Sequence, residues 1–111
     1  MTFKDLYVAL KQSGISQKRL KTVKALSPPY LVVCEGTADF GGADDKTLYK
    51  EHSPRIELYT GNNDFTSFDT ICTVLNNNNI PFSVSDEIQI SDEGIFVRYF
   101  DIDKQFDKIY I

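Results

Sequence analysis

Phe3, Leu6, Tyr7 and Leu10 fall at i, i+3, i+4 and i+7, one stripe of an α-helix, and Gly14 then supplies a stop. The stretch Ile15 to Leu26 is basic with scattered apolar residues, and Ser27-Pro28-Pro29 breaks whatever precedes it, so a docked connector is expected here. Tyr30-Leu31-Val32-Val33-Cys34 is a β-branched run bounded by prolines and Gly36, which predicts a strand buried on both faces or nearly so. Lys46 to Tyr59 predicts a second strand. It alternates best at Arg55-Ile56-Glu57-Leu58-Tyr59-Thr60, with charges outward, Ile56 and Leu58 inward, and Pro54 marking an edge position or a bulge.

The turn Gly61-Asn62-Asn63-Asp64 leads into a second helix, for which Asp64 or Asn63 can serve as cap. Phe65, Phe68, Cys72 and Leu75, with Ile71 and Val74 beside them, form its apolar stripe. Asn76 to Asn79 ends it, because Asn tolerates the left-handed conformation, and Pro81 prevents continuation. A third strand is expected at Phe82 to Ser85 and a fourth from Gly94 to Ile102, while Ile88 to Ile90 reads equally as a small strand or a turn of helix. Residues 103–111 alternate charged and apolar positions and form either a short extra strand or an arm that orders against a partner. The predicted class is α+β: a small antiparallel or mixed four-stranded sheet with two helices packed on one face, in the order α-β-β-α-β-β.

At 111 residues the chain fits one domain with one modest core. Its composition, 41% hydrophobic and 25% charged, is that of a globular protein rather than a disordered one. The longest apolar run is about five residues, against the roughly 20 of a membrane-spanning helix. The first residues show no charged segment followed by an apolar one, so the chain is expected to stay in the compartment where it is made. Cys34 and Cys72 match no C-x-x-C pattern and are expected to be reduced, buried thiols.

Charge changes the picture more than composition does. The first thirty residues carry six bases and one acid, whereas the rest carries six bases and fifteen acids. The two regions can be separate solvated faces, or the basic segment of one copy can meet the acidic body of the next. The cluster Lys18, Arg19, Lys21 and Lys24 could also suggest nucleic acid, but the acidic total and the lack of a binding module weigh against duplex binding.

Catalytic patterns are missing. His52 is the single histidine and has no companion motif, so it is expected on the surface of a strand. Asp39-Phe40-Gly41 imitates a kinase magnesium motif in a chain without that family's other signatures. Asp39, Asp44 and Asp45 lack the alternating frame of a calcium loop and read as a solvated acidic loop within Thr37 to Asp45. No cofactor or metal is expected, and no enzymatic activity.

The order of segments carries a resemblance. Pro28-Pro29-Tyr30-Leu31-Val32-Val33, the Gly- and Asp-containing loop, Arg55-Ile56-Glu57-Leu58-Tyr59-Thr60, the second helix, Ile80-Pro81-Phe82 and Phe96-Val97-Arg98-Tyr99-Phe100-Asp101-Ile102 occur in sequence over residues 3–102. This order resembles the tail terminator, or tail-completion, proteins that join head to tail in long-tailed phages and prophages of Gram-positive bacteria. The basic connector Gln17 to Ala25, the Asn76 to Asn79 run and the extension after Asp103 depart from that pattern.

The resemblance implies a non-enzymatic virion subunit. It would form a ring, typically a hexamer, that caps the tail tube at its head-proximal end, after assembly in the bacterial cytoplasm. Its partners would be other copies of itself, the major tail tube protein and a head-neck connector protein. It would bind neither membrane nor specific nucleic acid, although DNA would pass through the ring.

On that reading Lys18, Arg19, Lys21, Lys24, Tyr49, Arg55 and Tyr59 are candidate subunit-interface residues, with Tyr49 and Tyr59 expected as exposed strand aromatics. Asp39, Asp44 and Asp45 would face the channel, where acidic groups repel passing DNA. Two other readings stay open: another connector component such as a neck stopper or adaptor, and a prophage-encoded regulator that binds a host protein.

Overall fold

Helix α1 (Phe3–Leu10) presents Leu6 and Leu10, both fully buried, together with Ala9 on one stripe, while Val8 on the opposite side is half exposed. A single 3-10 turn, Lys11–Ser13, extends it, and Gly14 at φ +74° ends it by donating its N–H to the Lys11 carbonyl. That backbone conformation strains any residue with a Cβ, which is why the expected stop falls at this glycine. The structure is a computed structural model that describes residues 3–18, 27–43, 46–91, 94–102 and 107–110. The side chain of Phe3, expected on the same stripe, lies outside this description.

The connector after Gly14 is not wholly irregular. Strand β1 (Ser16–Lys18) lies parallel to β2 (Tyr30–Ala43), with Gln17 opposite Leu31, and the Gln17 amide donates to the Tyr7 carbonyl at 2.9 Å. That bond ties the short strand to α1. Residues 19–26, the rest of the expected connector, lie outside the described residues.

Strand β2 does not stop at Gly36. It continues antiparallel to β3 (Lys46–Thr60) through register shifts at Gly36/Thr37 and Gly41/Gly42. Both shifts fall at glycines, which permit the bulged conformations that let pairing resume, so Gly36, expected to bound the strand, is a joint within it. The expected acidic loop is thereby corrected: Thr37 to Ala43 are strand, Asp39 pairs with Glu51, and Asp44 and Asp45 lie outside the described residues.

Asp64 caps α2 (Ser67–Asn77). Its Oδ1 accepts from the Thr66 and Ser67 backbone N–H groups at 3.1 and 3.0 Å, and its Oδ2 accepts from the Ser67 hydroxyl at 2.6 Å. At the other end Asn79 takes φ +57°, and Ile80 N–H reaches back to the Leu75 carbonyl at 2.9 Å while Asn79 N–H reaches Asn76. This six-to-one closure satisfies carbonyls that a helix end leaves orphaned. Phe65 is corrected from the expected stripe: it precedes the helix and is 81% exposed. Ile71, Val74 and Leu75 are buried, with Phe68 and Cys72 packed at the margin.

Strands β4 (Phe82–Val84), β5 (Ile88–Ser91) and β6 (Ile95–Ile102) follow, and β7 (Asp107–Tyr110) returns to pair with β3. The sheet is ordered β1-β2-β3-β6-β4, with β5 also on β6 and β7 on β3. It is mixed, because β1 and β2 are parallel and the other pairs antiparallel. The class is α+β, with three short strands, β1, β5 and β7, beyond the four expected. The C-terminal extension resolves to the extra-strand alternative over Asp107–Tyr110, residues 103–106 and 111 lying outside the described residues.

Leu6, Leu10, Leu31, Val33, Ile56, Leu58, Ile71, Leu75, Ile80 and Phe100 form the core between the helices and one sheet face. Each fully buried side chain of this kind contributes about 1.5–3 kcal/mol. The sheet's other face holds a smaller cluster, Val32, Tyr59 and Val97 with Tyr30, Cys34, Ile95 and Tyr99 around it. Cys34 and Cys72 are half-buried on opposite sides of the sheet and form no disulfide, less enclosed than expected.

Pro54 is buried within β3, which is not an edge strand. Its neighbour on one side changes from β6, alongside Arg55–Thr60, to β7, alongside Tyr49–His52. Pro54 falls between the two, where no ladder bond needs its missing N–H.

Candidate assembly surface

Alternation along β3 sends Ile56 and Leu58 to the helix side and Arg55, Glu57 and Tyr59 to the other. The register sets these residues in rows: Tyr30 beside Tyr59 and Val97, Val32 beside Glu57 and Tyr99, and Cys34 beside Arg55 and Asp101. Tyr30 and Tyr59 stack with ring centroids 4.7 Å apart and planes 12° from parallel. Lys18 Nζ lies 5.2 Å from the Tyr30 ring centroid. Arg55 donates from Nε to Asp101 Oδ1 at 3.0 Å, with its guanidinium carbon 5.2 Å from the Tyr99 ring.

Three of the expected interface residues, Lys18, Arg55 and Tyr59, thus share one sheet face, each engaged with its own neighbours. Tyr59 is not the exposed aromatic expected, since only 8% of it is accessible. Burial first, and then the bond it donates to Glu57, push its phenol well above its ordinary value. Glu57 is not an outward charge either, being 5% exposed. A strand face without a helix over it still buries its central row once aromatic neighbours on flanking strands close around it. Arg55 and Asp101 remain about half exposed at the rim of this face. Of the other candidates, Tyr49 lies in β3 between Gly41 and Tyr110, and Arg19, Lys21 and Lys24 lie outside the described residues. His52 pairs through its backbone with Ala38 and Asp107.

The longer strands carry the sheet well past the helices. Fifteen residues of β3 extend roughly 50 Å at about 3.3 Å per residue. The molecule measures 54 × 30 × 23 Å, and its radius of gyration, 15.4 Å, exceeds the roughly 13 Å of a compact chain this long. The far part is a three-stranded ribbon of β2, β3 and β7. Among the described residues, β2 beyond Val32 pairs only with β3, and so does β7.

A cleft of about 410 Å³ opens at the other end, where Phe65, Phe68, Phe96 and Leu58 line it beneath Asp64, Glu87 and Arg98. Arg98 stacks over Phe68 at 4.1 Å, and both Asp64 oxygens are taken by the helix cap. The sequence reading missed this cleft because it is assembled from three separate turns and strands. Among the described residues no group of three or more His, Cys, Asp or Glu could hold a metal ion, and no helix is long and apolar enough to cross a membrane.

No family model and no curated protein matches the chain. Among the described residues, the ribbon leaves the outer backbone edges of β2 beyond Val32 and of β7 without a strand partner, and the rim of the helix-free face carries charged and aromatic groups already engaged with one another.

Proposed function

We propose that this chain is a non-enzymatic structural subunit that assembles with copies of itself into a sixfold ring, capping the tail tube of a long-tailed phage and joining it to the head's neck. The observation that carries the reading is the ribbon of β2, β3 and β7, which extends the sheet beyond the helix-covered body and has different strands on its two sides. A ring needs two unlike contact surfaces on every subunit, because a head-to-tail contact repeats until rotation closes it. The resemblance of the ordered segments to tail terminator proteins supports the same reading. The other partners are the major tail tube protein and a head-neck connector protein.

The test is addition of the purified protein to tubes polymerised from major tail protein, viewed by electron microscopy. The expected result is a ring at one end of each tube and a halt to further growth. Binding to a portal-bound connector without binding to tubes would instead assign the neck-stopper or adaptor position. Retention of a host protein by a chain that ignores tubes would assign the regulator reading.

A further inference from the structure

The two outer strands of the ribbon flank the same four residues of β3. Tyr49, Lys50, Glu51 and His52 pair with Gly41, Phe40, Asp39 and Ala38 of β2 on one side, and with Tyr110, Ile109, Lys108 and Asp107 of β7 on the other. Both outer strands are antiparallel to β3, so they run in the same direction as each other. Ala38–Gly41 also lies between the two register shifts, in the regular part of distal β2.

We propose that copies of this chain join by strand addition, the outer edge of β7 in one copy pairing in parallel with the outer edge of β2, at Ala38–Gly41, in the next. An unpaired strand edge presents a row of N–H and C=O groups that another strand can satisfy, and natural edges are blocked by Lys, Pro or cover where pairing is unwanted. Gly36 to Ala43 contains one charged residue and no Lys or Pro, whereas Asp107–Tyr110 has no Pro but carries Lys108, which the proposed contact sets level with Asp39.

The occupant is a second copy because one ribbon supplies both halves of the contact at one level. Copies related by rotation about an axis along the ribbon keep their strands pointing the same way, which requires β7 and β2 to meet in parallel. In that register Asp39 comes level with Lys108 and Phe40 with Ile109, an acid beside a base and an aromatic beside an aliphatic residue. Four residues of pairing make each contact weak, so closure, which satisfies both edges of every copy, is what holds the assembly. Ring closure rests on the function proposed above, whereas the pairing itself is testable without a tail tube.

The experiment places Asp39→Cys and Lys108→Cys together in the full chain and oxidises it mildly. Within one copy these positions are two strand spacings apart, about 9.5 Å, beyond the roughly 7 Å limit for a disulfide. Across the proposed contact they lie on adjacent strands. A ladder of dimers and higher oligomers on a non-reducing gel, with a 39–108 linked peptide in its digest, is expected from the double variant and from neither single variant. A second variant lacking residues 107–111 should lose association in sedimentation while keeping its circular dichroism and unfolding transition.

A wild-type chain that stays monomeric at its highest soluble concentration overturns the proposal. So does a 39–39 linked peptide from Asp39→Cys alone, which would indicate a two-fold β2 contact, or undiminished association of the truncated chain. Tube capping is read separately, so a chain that caps tubes without cross-linking overturns the edge contact and leaves the functional reading standing.

Discussion

Tyr59 donates its phenolic hydrogen to Glu57 Oε1 at 2.7 Å, two residues back along the same strand, on the sheet face that carries no helix. Both residues are more than nine-tenths buried. Tyr59→Phe removes the donor and leaves the carboxyl with one bond fewer in a site water barely reaches. The expected loss is about 1–3 kcal/mol in denaturant unfolding. Absorbance titration supplies a second check. The raised phenol should lag behind the tyrosinate that forms near pH ~10, so wild type and variant should differ less there than at higher pH.

Leu75 is fully buried between α2 and the sheet, and Phe65, ten residues earlier, is largely in solvent. Leu75→Ala should cost about 2–5 kcal/mol by leaving a cavity. Phe65→Ala should change stability by less than about 0.5 kcal/mol. Chemical denaturation of the two variants side by side distinguishes the core face of the helix from its approach.

Burial alone would push the Asp64 carboxyl up, but the bonds it accepts from the Ser67 hydroxyl and backbone and from Thr66 outweigh this and hold it below its ordinary value. The folded state therefore binds this proton more weakly than the unfolded state. The stabilisation is fully present above the unfolded value, roughly pH 4, and is lost as pH falls through the lower folded one. Asp64→Ala should cost about 0.5–2 kcal/mol near neutral pH. The gap from wild type, followed by urea unfolding, should close progressively in acid.

Gly94, in the turn before β6, has φ +82°, and a Cβ there would sit 3.0 Å from the Cβ of Asn62. Gly94→Ala should destabilise by roughly 1–3 kcal/mol, combining an unfavourable backbone conformation with a contact that must give. Gly61 has open space around its would-be Cβ and no left-handed φ. Gly61→Ala should be neutral or stabilising by up to about 1 kcal/mol. Thermal melts of the pair separate the close approach from a general glycine effect.

Local chemistry made much of this architecture legible in advance. The stripe of Leu6 and Leu10, the stop at Gly14, the Asp64 cap, the Asn79 exit and the inward pair Ile56 and Leu58 each depend on residues within a turn or two of one another. Their side chains and backbone preferences act at that range, so the sequence by itself determined two helices, the main strands and the α+β class. It also placed Arg55 and Tyr59 on one face through strand alternation. Tertiary structure decided what depends on distant neighbours. Glu57 and Tyr59 became buried because Tyr30 and Tyr99 arrive from other strands. Gly36 and Gly41 became joints within a strand because β3 was there to pair with on the far side of each. Residues 107–110 became a strand at the same level as Ala38–Gly41 because β3 had a free edge beyond Pro54. A strand edge becomes visible only when its partner is placed, since pairing is set by backbone groups that every residue type shares.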